Sequence, residues 1–317
     1  MRDDECPAAA AQPLMADGAR AQPAAPEAGG GDPSFAAGAQ RLAAFIERHA
    51  PLFALTGAGC STDSGIPGYR DRDGRWKGAD PIRYQAFVRE PAARRRYWAR
   101  SYVGWPRVAA ALPNGAHRAL AALERDGRLT QLVTQNVDGL HQRAGSRRVI
   151  DLHGRLDLVD CLDCGLRLSR RRMQALLAAL NPDCPAPDCP TRAAGRMAPD
   201  GDVLLDDRQQ GAFRVPGCPG CGGVLKPAVV FFGENVPGPR VRRAFDRLAE
   251  SRAVLVVGSS LAVFSGYRFC LEASKRGLPI ALLNRGWTRA DDLATEKLSM
   301  DCATTLAGAL RQLAAPR

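Results

Sequence analysis

The sequence predicts an α/β fold, a mostly parallel sheet with helices on both faces, and three observations carry that prediction. Short, mainly apolar runs at Leu52–Thr56, Leu129–Val133, Ala253–Val257 and Pro279–Leu283 alternate with segments of helical periodicity. Such runs suit strands buried on both faces of a sheet. Each run stops at a polar or glycine-rich cluster, after Thr56, Val133, Val257 and Leu283. Ligands of open parallel sheets bind beyond the carboxyl ends of the strands, so four such clusters point to one composite site. A chain of 317 residues is also long enough to bury a large core and still carry a small second module.

The elements follow in order. Residues 1–35 are rich in Ala, Pro and Gly and poor in large apolar side chains, which predicts a flexible tail. Asp3, Asp4 and Glu5 stand where a signal peptide carries positive charge, so cytoplasmic residence is expected. Ala36–His49 has helical spacing, with Leu42, Phe45 and Ile46 near one face. Leu52–Thr56 is a strand leading into Gly57-Ala58-Gly59. Residues 72–112 carry many aromatics and predict helices and loops that cover the sheet. His117–Glu124 predicts a helix, and Leu129–Val133 a strand ending at Thr134-Gln135-Asn136-Val137-Asp138-Gly139. Met173–Leu180 predicts a short amphipathic helix, Asn181–Asp200 a proline-rich loop, and Ala228–Phe232 a strand. Helices around Val241–Leu248 and Leu271–Arg276 flank the strand Ala253–Val257, and Pro279–Leu283 is the last strand.

Composition narrows the classes. The chain is 45% apolar, and no run of about eighteen uncharged apolar residues offers a membrane span. Net charge is +11, with arginines grouped at Arg94, Arg95, Arg96 and Arg100 and again at Arg167, Arg170, Arg171 and Arg172. These groups read as solvated surface, and no stacking-aromatic pattern or recognition helix argues for nucleic acid.

Four of the ten cysteines form two tight pairs, Cys161-x-x-Cys164 and Cys218-x-x-Cys221. Two such turns can surround one tetrahedral ion, so a closed structural Zn2+ site is expected; two redox pairs are the alternative. Cys184 and Cys189 lie between the pairs in a proline-rich stretch and suit a shared ion less well.

Gly57-Ala58-Gly59 follows a strand but does not complete the Gly-x-Gly-x-x-Gly fingerprint, because Thr62 holds the third position. The segment Ser61 to Asp71 adds hydroxyls, glycine turns and Arg70. Backbone N–H groups there can cradle a pyrophosphate in a Rossmann-like domain, with a plain surface loop as the alternative. Gln135, Asn136 and Asp138 can orient a carboxamide and ribose hydroxyls. His153 can serve as a base near neutrality, although His49, His117 and His141 compete for that role on sequence chemistry alone.

Taken together, Gly57-Ala58-Gly59-Cys60-Ser61-Thr62, Gly65-Ile66-Pro67 with Tyr69-Arg70, Thr134 to His141, Leu152-His153-Gly154, the two cysteine pairs, Phe231-Phe232-Gly233-Glu234, Gly258-Ser259-Ser260 and Asn284 resemble the sirtuin family of NAD-dependent protein deacylases. The match runs in order from about residue 40 to residue 310. Arg96-Tyr97-Trp98-Ala99-Arg100, Gly104-Trp105-Pro106, Gly266-Tyr267-Arg268-Phe269 and Thr288 to Leu293 are similar to its class II, lipoamidase-like branch, and the composition suggests a bacterial member.

The resemblance implies a Rossmann-like domain at 36–152 and 222–317, covered by 72–112, with a zinc module at 153–221. It implies NAD as consumed co-substrate and one structural Zn2+ held by Cys161, Cys164, Cys218 and Cys221. Gly57, Ala58 and Gly59 would hold the pyrophosphate, Arg70 would help position the dinucleotide, Thr62 and Tyr69 would also bind the cofactor, and Gly258, Ser259, Ser260, Asn284 and Cys302 would line the adenosine half. Asn136 would contact the nicotinamide ribose with Gln135 beside it, Asp138 would bind the carboxamide, and His153 would be the general base. Val230, Phe231, Phe232 and Gly233 would lie beside a substrate peptide added as a β-strand. The implied products are nicotinamide, free lysine and 2′-O-acyl-ADP-ribose. Expected partners are acylated lysines of proteins, with no membrane or nucleic acid, and the chain is expected to be a monomer. Tyr97 and Arg100 resemble a pair that recognises acidic acyl chains, although they can equally be part of a helix surface. Gly68 stands where many family members carry Asp, which should loosen the cofactor loop, and Arg285 follows Asn284 where a small or apolar residue is common. The competing function is mono-ADP-ribosyl transfer to a protein side chain; hydride transfer or a non-catalytic zinc module are more distant readings.

Overall fold

The structure, a computed structural model, describes residues 33–71, 73–77, 81–184, 203 and 211–315. Its main sheet has six parallel strands: β1 (Leu52–Thr56), β2 (Leu129–Thr134), β3 (Val149–Asp151), β7 (Ala253–Val257), β8 (Ile280–Leu283) and β9 (Glu296–Leu298), in the order β3-β2-β1-β7-β8-β9. A second sheet is antiparallel and three-stranded, from β4 (Gly154–Cys161), β5 (Arg167–Ser169) and β6 (Leu225–Val229).

Alternation along the central strands builds two cores. Leu52, Ala54, Leu129, Leu132, Ala253, Leu255, Val257, Ala281 and Leu283 face one side. There they meet Leu42 and Ile46 of α1 (Pro33–His49), Leu120 and Leu123 of α4 (Gly115–Arg125) and Leu306 of α9 (Cys302–Ala314). Phe53, Leu55, Val133, Val254, Val256, Ile280 and Leu282 face the other side. They meet Ala244 and Leu248 of α7 (Gly238–Ala249) and Phe269 and Ala273 of α8 (Phe264–Lys275). Successive strand side chains point to opposite faces, which is why uninterrupted apolar runs were needed here.

A third core belongs to the smaller lobe. Phe87 of α2 (Tyr84–Arg89) and Tyr97, Trp98, Tyr102 and Val108 of α3 (Pro91–Ala110) pack with Leu156, Val159, Leu225 and Val229 of the small sheet, and with Met173 and Leu177 of α6 (Arg170–Leu180). The cover is thus more regular than its sequence suggested. Pro91 starts the 20-residue α3, and Pro106 lies inside it. The strand expected at Ala228–Phe232 lies instead at Leu225–Val229 and joins the small sheet.

Arg170 also departs from expectation, being 1% exposed rather than on a solvated face. Its guanidinium lies 5.3 Å from the ring centres of both Trp98 and Trp105 and donates to the Ser101 carbonyl and hydroxyl and to Gln174. Burial lowers its pKa to about 10, so it stays charged and ties α6 to α3. The proline-rich stretch after Asn181 lies mostly outside the described residues, as do Cys189 and nearly all of the expected tail. Among the described residues, no helix is long and apolar enough to cross a membrane.

Beneath the loop after β1 lies a buried polar cluster. His141, on the short α5 (Leu140–Arg143), places Nε2 2.9 Å from Thr56 Oγ1, and its ring lies 4.7 Å from that of His117. Asn114 caps α4 and donates to the Cys60 carbonyl. Burial pushes His117 down to about 4 and His141 well below its ordinary value.

Two outcomes follow from this framework. Gly154 has φ of +82°, and a Cβ there would collide with the Ala228 carbonyl. Gly154→Ala should therefore cost about 1–2 kcal/mol from backbone conformation alone, and more from the collision, read as a lower denaturant midpoint. All four histidines are held below their usual pKa, burial being the leading cause in each. On acidification the unfolded chain then takes up protons that the folded chain refuses. Stability should fall as pH drops from about 6.5 to about 5; a denaturation midpoint constant over that window would contradict the buried neutral imidazoles.

Candidate active site

The order of the main sheet reverses direction between β1 and β7, and a cleft of about 620 Å3 opens where those strands end. The loops there touch through backbone. Gly59 N–H donates to the Gly258 carbonyl at 2.8 Å, and Gly57 N–H to the Val257 carbonyl at 3.1 Å. A Cβ on Gly59 would stand 2.9 Å from the Gly258 oxygen, and Gly258 itself has φ of +62°. No larger residue fits this crossing.

Most of the expected site residues meet in this cleft. Gly57, Ala58, Gly59, Thr62, Tyr69, Arg70, Gln135, Asn136, His153, Gly258, Ser259, Ser260, Asn284 and Cys302 line it, as do Tyr97 and Val230 to Gly233. Arg70 donates to the Gly74 carbonyl at 2.8 Å and lies over the Trp76 ring, while Tyr69 stacks on the same ring at 5.2 Å. Phe232, 37% exposed, meets Trp76 edge-on, so three rings wall this end. The Val230–Gly233 segment already has backbone partners: Val230 N–H donates to the His153 carbonyl, and the Phe232 carbonyl accepts from Tyr84 N–H. Arg285 lines the cleft and is paired with Asp301 at 3.0 Å. Gly68 keeps an ordinary backbone φ, so its position does not demand glycine.

Two expected residues are placed differently. Asp138 does not line the cleft; it sits behind the wall, where its carboxylate accepts from Ser61 Oγ at 2.7 Å and Leu140 N–H at 2.9 Å. Burial pushes its pKa up against those hydrogen bonds. Asn136 donates to Ser61 Oγ and to the Gly57 carbonyl, each at 3.0 Å. Arg100, one helical turn beyond Tyr97, is also absent from the lining, so the expected acyl-recognising pair does not converge on the cleft.

His153 stands at the start of the small sheet, between the two lobes. Nδ1 is 3.0 Å from the Gln135 carbonyl oxygen, which can only accept, so Nδ1 carries the proton and Nε2 the lone pair. Nε2 meets Ser265 Oγ at 2.8 Å. Burial, reinforced by Arg240 and opposed by the Gln135 hydrogen bond, lowers the imidazole to about 4. It is therefore neutral and able to accept a proton near pH 7. Sequence reasoning missed Ser265, which belongs to no motif, and Ser61 as a hub; the hydroxyl run after Gly59 was the available signal for the second. Cys302 is a buried thiol pushed up to about 12 by its burial, an apolar wall rather than a nucleophile.

The four expected metal cysteines cluster, with Sγ atoms mutually within 4.8 Å and closest separations of 3.6 Å (Cys161–Cys221) and 3.8 Å (Cys164–Cys218). Sulfurs at about 2.3 Å from a tetrahedral Zn2+ stand about 3.8 Å apart, so the donor set fits that ion. Cys184 is not part of the cluster.

Comparison with known proteins agrees with this geometry. Residues 57–265 match the Sir2 family. An NAD-dependent protein deacetylase of Xanthomonas axonopodis pv. citri is 59% identical, covering 83% of this chain and 88% of that one. One from Bordetella bronchiseptica is 53% identical over 84% and 96%. Human mitochondrial sirtuin-4, named a lipoamidase, is 49% identical over 84% of each. A solved Sir2 complex with a p53 peptide and NAD+ aligns with a TM-score of 0.67 at 28% identity, covering 86% of this chain and 97% of that one. The expected placement in a class II, lipoamidase-like branch is thereby corrected, because the bacterial relatives at 53–59% identity are named plain deacetylases. The segment Arg96 to Pro106 that suggested the branch lies on α3, where Trp98 and Trp105 pack on Arg170. Its tryptophans build the lobe, and Tyr97 is the residue of the segment that lines the cleft. The chain belongs to the Sir2 family.

Proposed function

We propose that the cleft binds NAD and an acylated lysine together, and that the enzyme is an NAD-dependent protein-lysine deacylase with His153 as its general base. The carrying observation is the imidazole fixed in one tautomer by the Gln135 carbonyl, with Nε2 turned to a cleft already lined by the glycine loop. When bound, NAD would supply a sugar carbon that takes the acyl oxygen as nicotinamide leaves and a ribose hydroxyl that takes the acyl carbon; one water then completes the release, giving acyl-ADP-ribose and free lysine.

The chain's own residues do the rest. The Arg70 guanidinium offers donors to a pyrophosphate, and the Gly57-Ala58-Gly59 loop, whose glycine N–H groups are spent on the Val257 and Gly258 carbonyls, lets it approach without a side chain intervening. Gly258–Ser260, Asn284 and Cys302 would border the adenosine half. Asn136 presents its amide to the ribose side. Asp138 acts one step back, holding Ser61, which in turn holds Asn136. His153 Nε2 takes the ribose hydroxyl proton. Tyr97 and Phe231, packed at 5.2 Å, with Phe232 and Trp76, exclude water from the acyl chain. On this reading the four cysteines hold one structural Zn2+ that closes the far end of the small sheet, at the opposite end of β4 from His153.

Incubation with NAD and acetyl-lysine peptide should yield nicotinamide, free lysine and acyl-ADP-ribose by mass spectrometry; ADP-ribosylated protein in their place would establish the transferase reading. His153→Ala should lower turnover by about 10²-fold or more without loss of fold. Metal analysis should find zinc. A strong chelator, or Cys218→Ser, should lower the melting temperature, whereas an unchanged melt with zinc absent would remove the structural ion.

A further inference from the structure

The second nitrogen of His153 is not open to the cleft alone. Because Nδ1 gives its proton to the Gln135 carbonyl, Nε2 can only accept, and the Ser265 hydroxyl 2.8 Å away must be the donor. Ser265 is 9% exposed and lines the same cleft. It sits in the first turn of α8, whose N-terminal end carries the positive side of the helix dipole. The placement is locked from both sides. A Cβ on the next residue, Gly266, would come 2.6 Å from the Gln135 amide, so this helix start lies directly against the Gln135 side chain. The Gln135 amide oxygen is in turn held by Ser259 at 2.6 Å. One residue thus fixes His153 through its carbonyl while its side chain fixes the turn that carries Ser265.

We propose that Ser265 is a positioning residue for the base: its hydroxyl donates to His153 Nε2, aims the ring and keeps it unprotonated until substrate arrives. This rests on the reading of His153 as the base. The hydroxyl donates to the lone pair of the neutral ring, whereas imidazolium would need it to turn and accept, beside a helix N-terminus whose positive end disfavours that charge. The charged groups on the elements around the ring are Arg240 on α7, Asp151 on β3, Arg268 one turn along α8 and the Lys226–Glu234 pair beside the small sheet. Arg240 disfavours the protonated ring, and the Asp151 carboxylate is occupied by Gln142. None of these donates to Nε2, so the hydroxyl is the group that governs that atom.

The test begins without NAD. The chain has four histidines, few enough to resolve by NMR in the full-length zinc-loaded protein labelled with 15N-histidine. Ser265→Ala should raise the His153 pKa by about half a unit to one unit, the worth of one lost hydrogen bond. It should also weaken the preference for the Nδ1–H tautomer. Ser265→Thr, which keeps the hydroxyl, should titrate like wild type. In the NAD-dependent reaction, the acid limb of the kcat profile should move up with Ala and return with Thr, while KM for NAD changes less than kcat. An unmoved His153 titration in Ser265→Ala, or a shift that Thr does not reverse, overturns the proposal. If His153→Ala itself retains turnover, the base assignment fails separately, and the NMR titration still decides what Ser265 does to the ring.

Discussion

Everything at the site depends on two loops meeting backbone to backbone at the sheet's switch point. The Gly59 N–H to Gly258 carbonyl contact joins the ends of β1 and β7, and it exists only because neither position carries a side chain. From it follow the width of the cleft and the approach of Ser259 to Gln135. The two cores beneath hold this crossing rigid, since β1 and β7 lie at the centre of the sheet and are buried on both faces.

The proposed base belongs to a different structural unit from the loops it faces. His153 falls between β3, the last strand on one side of the main sheet, and β4, the first strand of the small sheet. Gly154 makes this turn possible, and the Gln135 carbonyl reaches across from the end of β2 to orient the ring. Burial alone would leave a neutral imidazole with no preferred tautomer; the carbonyl supplies the preference.

Much of this was legible in the sequence, for identifiable reasons. Strands buried on both faces must be apolar throughout, so Leu52–Thr56, Ala253–Val257 and Ile280–Leu283 announced themselves. The polar clusters at their ends announced the cleft. The edge strands β3 and β9 are three residues each and too short to carry a period. The helix α3 hid because its arginines and aromatics mask the usual amphipathic pattern, and its buried aromatics belong to the small lobe. Asp138 and Arg100 illustrate a further limit. Sequence proximity to Asn136 or Tyr97 says nothing about whether a side chain faces the cleft or the wall behind it. Ser265 shows the reverse, a contact between residues 112 apart with no motif to mark it.

The separation of the cores has an evolutionary corollary. The glycine loops proposed to hold the dinucleotide are seated on the six-stranded sheet, whereas Tyr97 and Phe231 belong to the aromatic core shared by α3 and the small sheet. Drift in that aromatic lobe can reshape its side of the cleft while leaving the loops over β1 and β7 undisturbed. Divergence in selectivity among descendants of such a chain would then accumulate in one half of the molecule, with chemistry inherited unchanged in the other.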